Sequence, residues 1–146
     1  MVPMDVIMDA MRTAMKNAGP GRFLLDGFPR SMEQALAYEQ RFGRPDGVLY
    51  FDCPESTMRE RLLERGKSSG RSDDNEETIL KRFATFQEES VPVVHRYARS
   101  GLVANVDATA SKEDVYAQTQ ELLASRVFFV AGGPGSGKGT QCARIR

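Results

Sequence analysis

Arg126-Val-Phe-Phe-Val-Ala-Gly-Gly-Pro-Gly-Ser-Gly-Lys138-Gly-Thr140-Gln-Cys is the stretch whose reading decides the fold. Its opening, Val127 to Ala131, is a short apolar and aromatic run and predicts a buried strand. Four glycines and a proline then fall within six residues, followed by Lys138, Gly139 and Thr140. This is the phosphate-binding loop pattern, Gly132-x-x-x-x-Gly137-Lys138, with the usual Ser/Thr displaced by one place to Thr140. Glycines permit backbone conformations in which successive N–H groups point inward and cradle an anion. The next helix contributes the partial positive charge of its N-terminus, and Lys138 reaches the outer phosphates. A plain Gly-rich turn accounts for the glycines but not for the ordered lysine and threonine behind them. A nucleotide phosphate is the ligand to expect.

Upstream, the chain alternates. Met4–Met15 carries Ile7, Met11 and Ala14 on one helical face and stops at Asn17-Ala-Gly-Pro-Gly21. Strands are expected at 22–26, 47–52, 102–106 and 127–131, and each is apolar through most of its length. Helices are expected at Ser31–Phe42, Pro54–Glu64, Thr78–Ser90, Val91–Ser100 (beginning near Pro92) and Ser111–Leu123. Arg65–Asn75 reads as a polar, Gly/Ser-rich loop without a core residue. Apolar strands alternating with helices predict a parallel sheet covered on both faces, in one domain spanning 1–146.

The 146 residues carry no net charge, so bulk attraction to nucleic acid or to an anionic membrane is not expected. Cys53 and Cys142 are too few for a disulfide framework and lack metal-ligand spacing. No apolar run approaches the ~20 residues of a membrane span, and no signal peptide opens the chain, which predicts a cytoplasmic protein. Arginine outnumbers lysine fifteen to five. Guanidinium forks grip phosphates bidentately, so where the arginines fall matters.

Asp26, at the end of a strand, stands where α/β sheets keep their ligands and where phosphate-loop enzymes hold Mg²⁺ or its waters. Arg61 and Arg65 lie one helical turn apart, Arg71 sits in the polar loop, Arg82 on the next helix, and Arg30 after the strand-end turn. Such a convergence suits stabilising a transferring phosphoryl group, whose charge spreads over its oxygens. The 65–76 segment has the composition of a short lid, with glycines near both ends as hinges and Asp73 and Asp74 as closing hydrogen-bond acceptors. His95, the sole histidine, has no nucleophile partner in a recognisable arrangement and is given no role.

Taken together, Gly132-Gly-Pro-Gly-Ser-Gly-Lys-Gly-Thr-Gln141, Asp26-Gly-Phe-Pro-Arg30, Arg61-Leu-Leu-Glu-Arg65-Gly and Ser69-Gly-Arg71-Ser-Asp73-Asp74-Asn75, with Arg82 beyond, resemble adenylate kinases of the short-lid cytosolic type. The resemblance implies a three-layer α/β/α sandwich of the phosphate-loop kinase type, with the last strand between the first and second. It implies reversible transfer from Mg²⁺-ATP to AMP, giving two ADP. Gly133, Pro134, Gly135, Ser136, Gly137, Lys138, Gly139 and Thr140 would hold the donor phosphates, and Arg61 and Ala110 would border the donor adenine. Val2, Gly27, Arg30 and Gln34 would meet AMP. Arg65, Arg71 and Arg82 would clamp the transferring group, the last two also bordering AMP. Asp26 would hold Mg²⁺ through water.

Two departures from the family pattern are evident. The order is rotated, since the phosphate loop closes the chain instead of opening it; this implies a circular permutation, or a junction of tandem copies. The family's acceptor-binding segment, which comes after the phosphate-loop helix there, has no counterpart in this sequence. A monomer is expected, with strand exchange or completion by another chain as an alternative. A nucleotide-binding core or weak ATPase without a competent acceptor site is the other functional possibility.

Overall fold

A computed structural model describes residues 2–21, 23–69, 75–123 and 127–145. Its elements, in order, are α1 (Met4–Ala18), β1 (Phe23–Asp26), α2 (Met32–Phe42), β2 (Gly47–Asp52), α3 (Glu55–Ser69), α4 (Glu76–Thr85), a π-helical turn (Phe86–Ser90), α5 (Val91–Ala98), β3 (Val103–Asp107), α6 (Lys112–Leu122), β4 (Val127–Gly132) and α7 (Lys138–Ile145). Local chemistry sets several boundaries. Ser31, Asn75 and Ser111 each cap a helix, their side chains accepting from the backbone N–H of Gln34, Thr78 and Asp114.

The four strands form one parallel sheet in the order β1-β4-β2-β3, so the last strand in the chain is inserted between the first and second, as the resemblance implied. Phe23 pairs with Val127 and Asp26 with Val130; Val48 pairs with Phe129 on one side and Val103 on the other. Successive strand residues face opposite sides. Accordingly Leu49 and Phe51 join one apolar cluster, with Met58, Leu62, Ile79, Phe83, Val106, Val115 and Val130. Val48 joins the other, with Met8, Phe28, Ala35, Tyr38, Val93 and Tyr97. The sheet is thus covered on both faces, with α3, α4 and α6 supplying one layer and α1, α2 and α5 the other. No helix among the described residues is long and apolar enough to cross a membrane.

The sequence reading departs from the structure in three places. The expected loop from Arg65 is helical through Ser69: the α3 ladder continues through Arg65 and Gly66, so this glycine lies inside a helix and not at a loop hinge. Glycine in a helix interior costs about 1 kcal/mol relative to alanine, too little to end one by itself. The rest of the expected lid, Gly70–Asp74 with Arg71, Asp73 and Asp74, lies outside the described residues. Second, α4 begins at Glu76, ahead of the expected start at Thr78, because Asn75 caps it. Third, the two helices expected over Thr78–Ser90 and Val91–Ser100 are one continuous helical run. Pro92 lacks an N–H and cannot enter an α ladder unaided. The chain passes it through a π turn, in which the Val91 N–H reaches five residues back to the Phe86 carbonyl.

Candidate active site

The site lies at the C-terminal ends of β1 and β4, which run side by side. Beyond β4 the chain bends sharply. Gly132 has φ +146°, and a Cβ there would come within 2.7 Å of Ser136 Oγ and 2.9 Å of the Phe51 carbonyl oxygen. Gly135 has φ +79°, and a Cβ would lie 2.7 Å from the Met58 carbonyl oxygen. Both positions therefore exclude a side chain, first by backbone conformation and then by room. The loop closes on itself through Ser136 N–H to the Gly133 carbonyl (3.2 Å), and α7 begins at Lys138.

Lys138 folds back into the hollow of this loop. Its Nζ donates to the carbonyls of Gly132 (2.8 Å) and Gly133 (3.0 Å). Burial pushes its pKa down to about 8; the Asp26 carboxylate opposes that shift, and the Arg30 and Arg82 guanidinium groups add to it. An ammonium held by peptide carbonyls, with two arginines in its field, is matched to a polyanion. Among the described residues, the side-chain oxygens Ser136 Oγ and Gln141 Oε1 are buried without a hydrogen-bond partner. Both stand beside the second cavity, where a bound group could satisfy them.

The neighbouring strand end is built differently. After Asp26, Gly27 turns with φ +66°, its N–H donating to the Val130 carbonyl at 3.3 Å. Next comes a cis Phe28–Pro29 bond. Arg30 Nε donates to the Gly27 carbonyl at 2.8 Å, and Arg30 N–H to Gln34 Oε1 at 2.7 Å. Ser31 Oγ caps α2 by accepting from Gln34 N–H, while the Gln34 side chain reaches one residue further back, to Arg30 N–H.

Two cavities flank the loop. The first, about 340 Å³, gathers Gly27 and Arg30 from the turn after β1, Arg82 from α4, and Gly132, Pro134 and Lys138 from the end of β4, its loop and the start of α7. The second, about 480 Å³, gathers Arg61, Arg65, Arg82, Ala110, Pro134, Gly135, Ser136, Gly137, Lys138, Gly139 and Thr140. Arg61 and Arg65 thus do share a face. Arg61 Nη1 donates to the Ala108 carbonyl at 2.7 Å and contacts Cys53 Sγ at 3.9 Å, latching the β3–α6 connection to α3. Lys138, Arg82 and Pro134 border both spaces.

The remaining expected residues stand apart. Val2 is 59 % exposed and lines neither cavity. Gln34 and Gly133 line neither, and the Gln34 carbonyl oxygen is engaged by Arg30. Asp26 is exposed at the strand end, close enough to Lys138 to act on its titration. Arg71 lies outside the described residues, and His95 is exposed on α5, away from both cavities. Sequence reasoning missed Thr78, Lys81, Thr85, Phe86, Glu89 and Ser90, all on the first cavity. A usable signal existed: Thr78, Arg82, Thr85 and Glu89 recur at helical spacing, so projecting the helix from Arg82 finds that face.

The adenylate kinase family model matches residues 1–102, a stretch that includes the Asp26–Arg30 turn, Arg61, Arg65 and Arg82. The chain is 46 % identical over 125 residues to uridylate kinase of Saccharomyces cerevisiae, which covers 84 % of this chain and 61 % of that protein. It is 42 % identical over 135 residues to UMP-CMP kinase of Lentinula edodes (84 % and 60 %) and 43 % identical over 121 residues to human adenylate kinase isoenzyme 1 (81 % and 62 %). The chain therefore spans about 61 % of the length of the curated relatives it matches. With the arginine-bearing strand end inside the matched residues and the lysine loop packed beside it, the chain belongs to the adenylate kinase family.

Proposed function

We propose that the chain is a nucleoside monophosphate kinase core that moves a phosphoryl group reversibly from Mg²⁺-ATP to AMP, giving two ADP. The observation that carries this reading is the first cavity, where Lys138, Arg30 and Arg82 converge from two adjacent parallel strand ends and a crossing helix. The donor phosphates lie in the loop, held by its N–H groups, by Lys138 and by the α7 N-terminus. The second cavity, bordered by Arg61 and Ala110, takes the rest of the donor nucleotide. Arg30 meets the acceptor phosphate; Arg65 and Arg82 stabilise charge on the transferring oxygens, and Arg71 joins them from the lid. An acceptor phosphate is already ionised near neutral pH, so positioning and charge stabilisation suffice.

AMP is favoured over UMP by the chemistry of Gln34. Its carbonyl oxygen accepts from Arg30 N–H, which leaves the NH₂ as the group it can offer a base. An NH₂ donor suits the acceptor N1 of adenine and opposes the N–H of uracil at the corresponding edge. Gly27, on the first cavity, borders the acceptor through its backbone.

Among the described residues no group of three or more His, Cys, Asp or Glu side chains could by itself hold a metal ion. Asp26, exposed beside Lys138, would hold through water an ion that arrives on a triphosphate. Bound Mg²⁺ supplies charge neutralisation on the phosphate oxygens.

A coupled ADP-formation assay on the folded chain tests the proposal. Turnover that needs both ATP and AMP, and is weaker with UMP, is expected; its absence overturns the reading. A second reading, a donor-binding core without a competent acceptor site, is favoured by Val2 and Gln34, which line neither cavity. Calorimetry separates the two: such a core binds ATP but gains little from a bisubstrate analogue linking two adenosines. Completion by a second chain, or strand exchange between monomers, is a further form of this reading, and activity rising with concentration would support it. The rotated motif order fits a circular permutation of the family fold, and the soluble nucleotide substrates fit a cytoplasmic setting.

A further inference from the structure

The helical run from Glu76 to Ala98 changes sides of the sheet. Ile79 and Phe83 on α4 belong to one apolar cluster, and Val93 and Tyr97 on α5 belong to the other. The crossing point is the π turn Phe86–Ser90, which passes over the strand ends and lines the cavity holding Arg30 and Lys138. At its first residue, Phe86 packs over the phosphate loop, where a Cβ added at Gly133 would lie 3.9 Å from Phe86 Cδ1. At its last residue, Ser90 Oγ donates to the Arg30 carbonyl at 2.9 Å across sixty residues of sequence.

Arg30 is thereby fixed at three points: its carbonyl by Ser90, its N–H by Gln34 and its Nε by the Gly27 carbonyl. The last two hold the arginine within its own turn. The Ser90 bond, by contrast, ties Arg30 to a distant part of the fold. A π turn carries one more residue per hydrogen-bonded ring than an α turn, so it rotates the downstream residues by roughly 100° relative to an uninterrupted helix. Ser90, the last residue of the turn, meets Arg30, and Phe86, its first, stays on the loop.

We infer that the π turn is a brace between the two halves of the site and that Ser90 is a positioning residue for Arg30. Ser90 acts through the Arg30 backbone and sets where that guanidinium stands relative to Lys138. The inference rests on the proposed kinase reading only in naming a nucleoside monophosphate as the ligand of Arg30.

The test uses the full chain with Ser90→Ala, Ser90→Thr and, as control on the same turn, Glu88→Ala, whose side chain is exposed and lines neither cavity. Ser90→Ala is expected to raise the AMP KM about three- to tenfold, the worth of one hydrogen bond, while kcat and the ATP KM hold. Amide exchange should quicken in residues 27–34 and stay unchanged in 132–141. Ser90→Thr restores both readouts, and Glu88→Ala moves neither. Unchanged exchange in 27–34, or exchange that quickens everywhere, overturns the brace. If the wild-type chain shows no AMP-dependent turnover, the kinase reading falls, and the exchange comparison alone decides for or against the brace.

Discussion

The two strand ends at the site do the same job by opposite means. The loop after β4 is self-contained: its own glycines, its own carbonyls on Lys138 and its own Ser136–Gly133 hydrogen bond fix it. The turn after β1 has local bonds at Gly27 and Gln34, but its arginine is also anchored from far along the chain by Ser90. Self-contained geometry leaves a mark in sequence, because every residue it needs is adjacent. Borrowed geometry does not.

The contrast can be broken most forcefully at Lys138. Lys138→Met removes the ammonium in the loop's hollow and is expected to lower turnover by roughly 10²–10³-fold with the fold retained, measured by coupled ADP formation alongside circular dichroism. A loss under about tenfold would mean the arginines carry the transfer. Next in size is the loop's conformational demand. Gly135→Ala sets a side chain at φ +79° against the Met58 carbonyl and should cost about 1–3 kcal/mol of stability by urea unfolding. Alanine at Gly21, which is exposed with open space around it, should cost nothing comparable.

A third prediction concerns pH. The folded pKa of Lys138, about 8, lies below its ordinary value of 10.5, so the native state releases this proton before the unfolded chain does. The buried charge therefore weakens the fold fully below about pH 8, and this cost disappears as pH rises from 8 toward 10.5. Relative to Lys138→Met, the wild-type urea midpoint should climb across that interval; a parallel course would show that Lys138 is not desolvated. ATP binding should reverse the shift, with uptake of about half a proton at pH 8, read by calorimetry in buffers of differing ionisation enthalpy. The smallest effect belongs far from both loops. Asp9→Ala removes the 2.9 Å pair with Arg41 that joins α1 to α2 and leaves Arg41 its 3.7 Å pair with Asp5, so at that exposure it should cost under about 1 kcal/mol.

Much of the fold was legible in advance. Four apolar runs became four strands, and three of the helix starts carry their signal in a single capping side chain: Ser31, Asn75 and Ser111. The grouping of Lys138 with Arg30 and Arg82 was legible too, because it stems from which strand ends are neighbours. The π turn was not. Pro92 announces an interruption of the α ladder, but whether the chain breaks or merely widens depends on what the flanking segments bury. Here Phe83 and Val93 are each held in a core on opposite faces, and the run stays helical between them. The extension of α3 through Gly66 was missed for a similar reason, since composition favoured a loop and a continued helical ladder prevailed. Gln34 shows the limit of motif reading: its position matched, yet its carbonyl oxygen serves Arg30.

The strand order carries a consequence for how the molecule comes into being. β4 leaves the ribosome after the other three strands, yet it bridges β1 and the β2–β3 pair. Until it arrives, β1 has no parallel neighbour among the described residues, and its apolar edge waits in the nascent chain. β1 therefore joins β2 and β3 only through β4, and the strand that makes this link is the one that leads into the lysine loop.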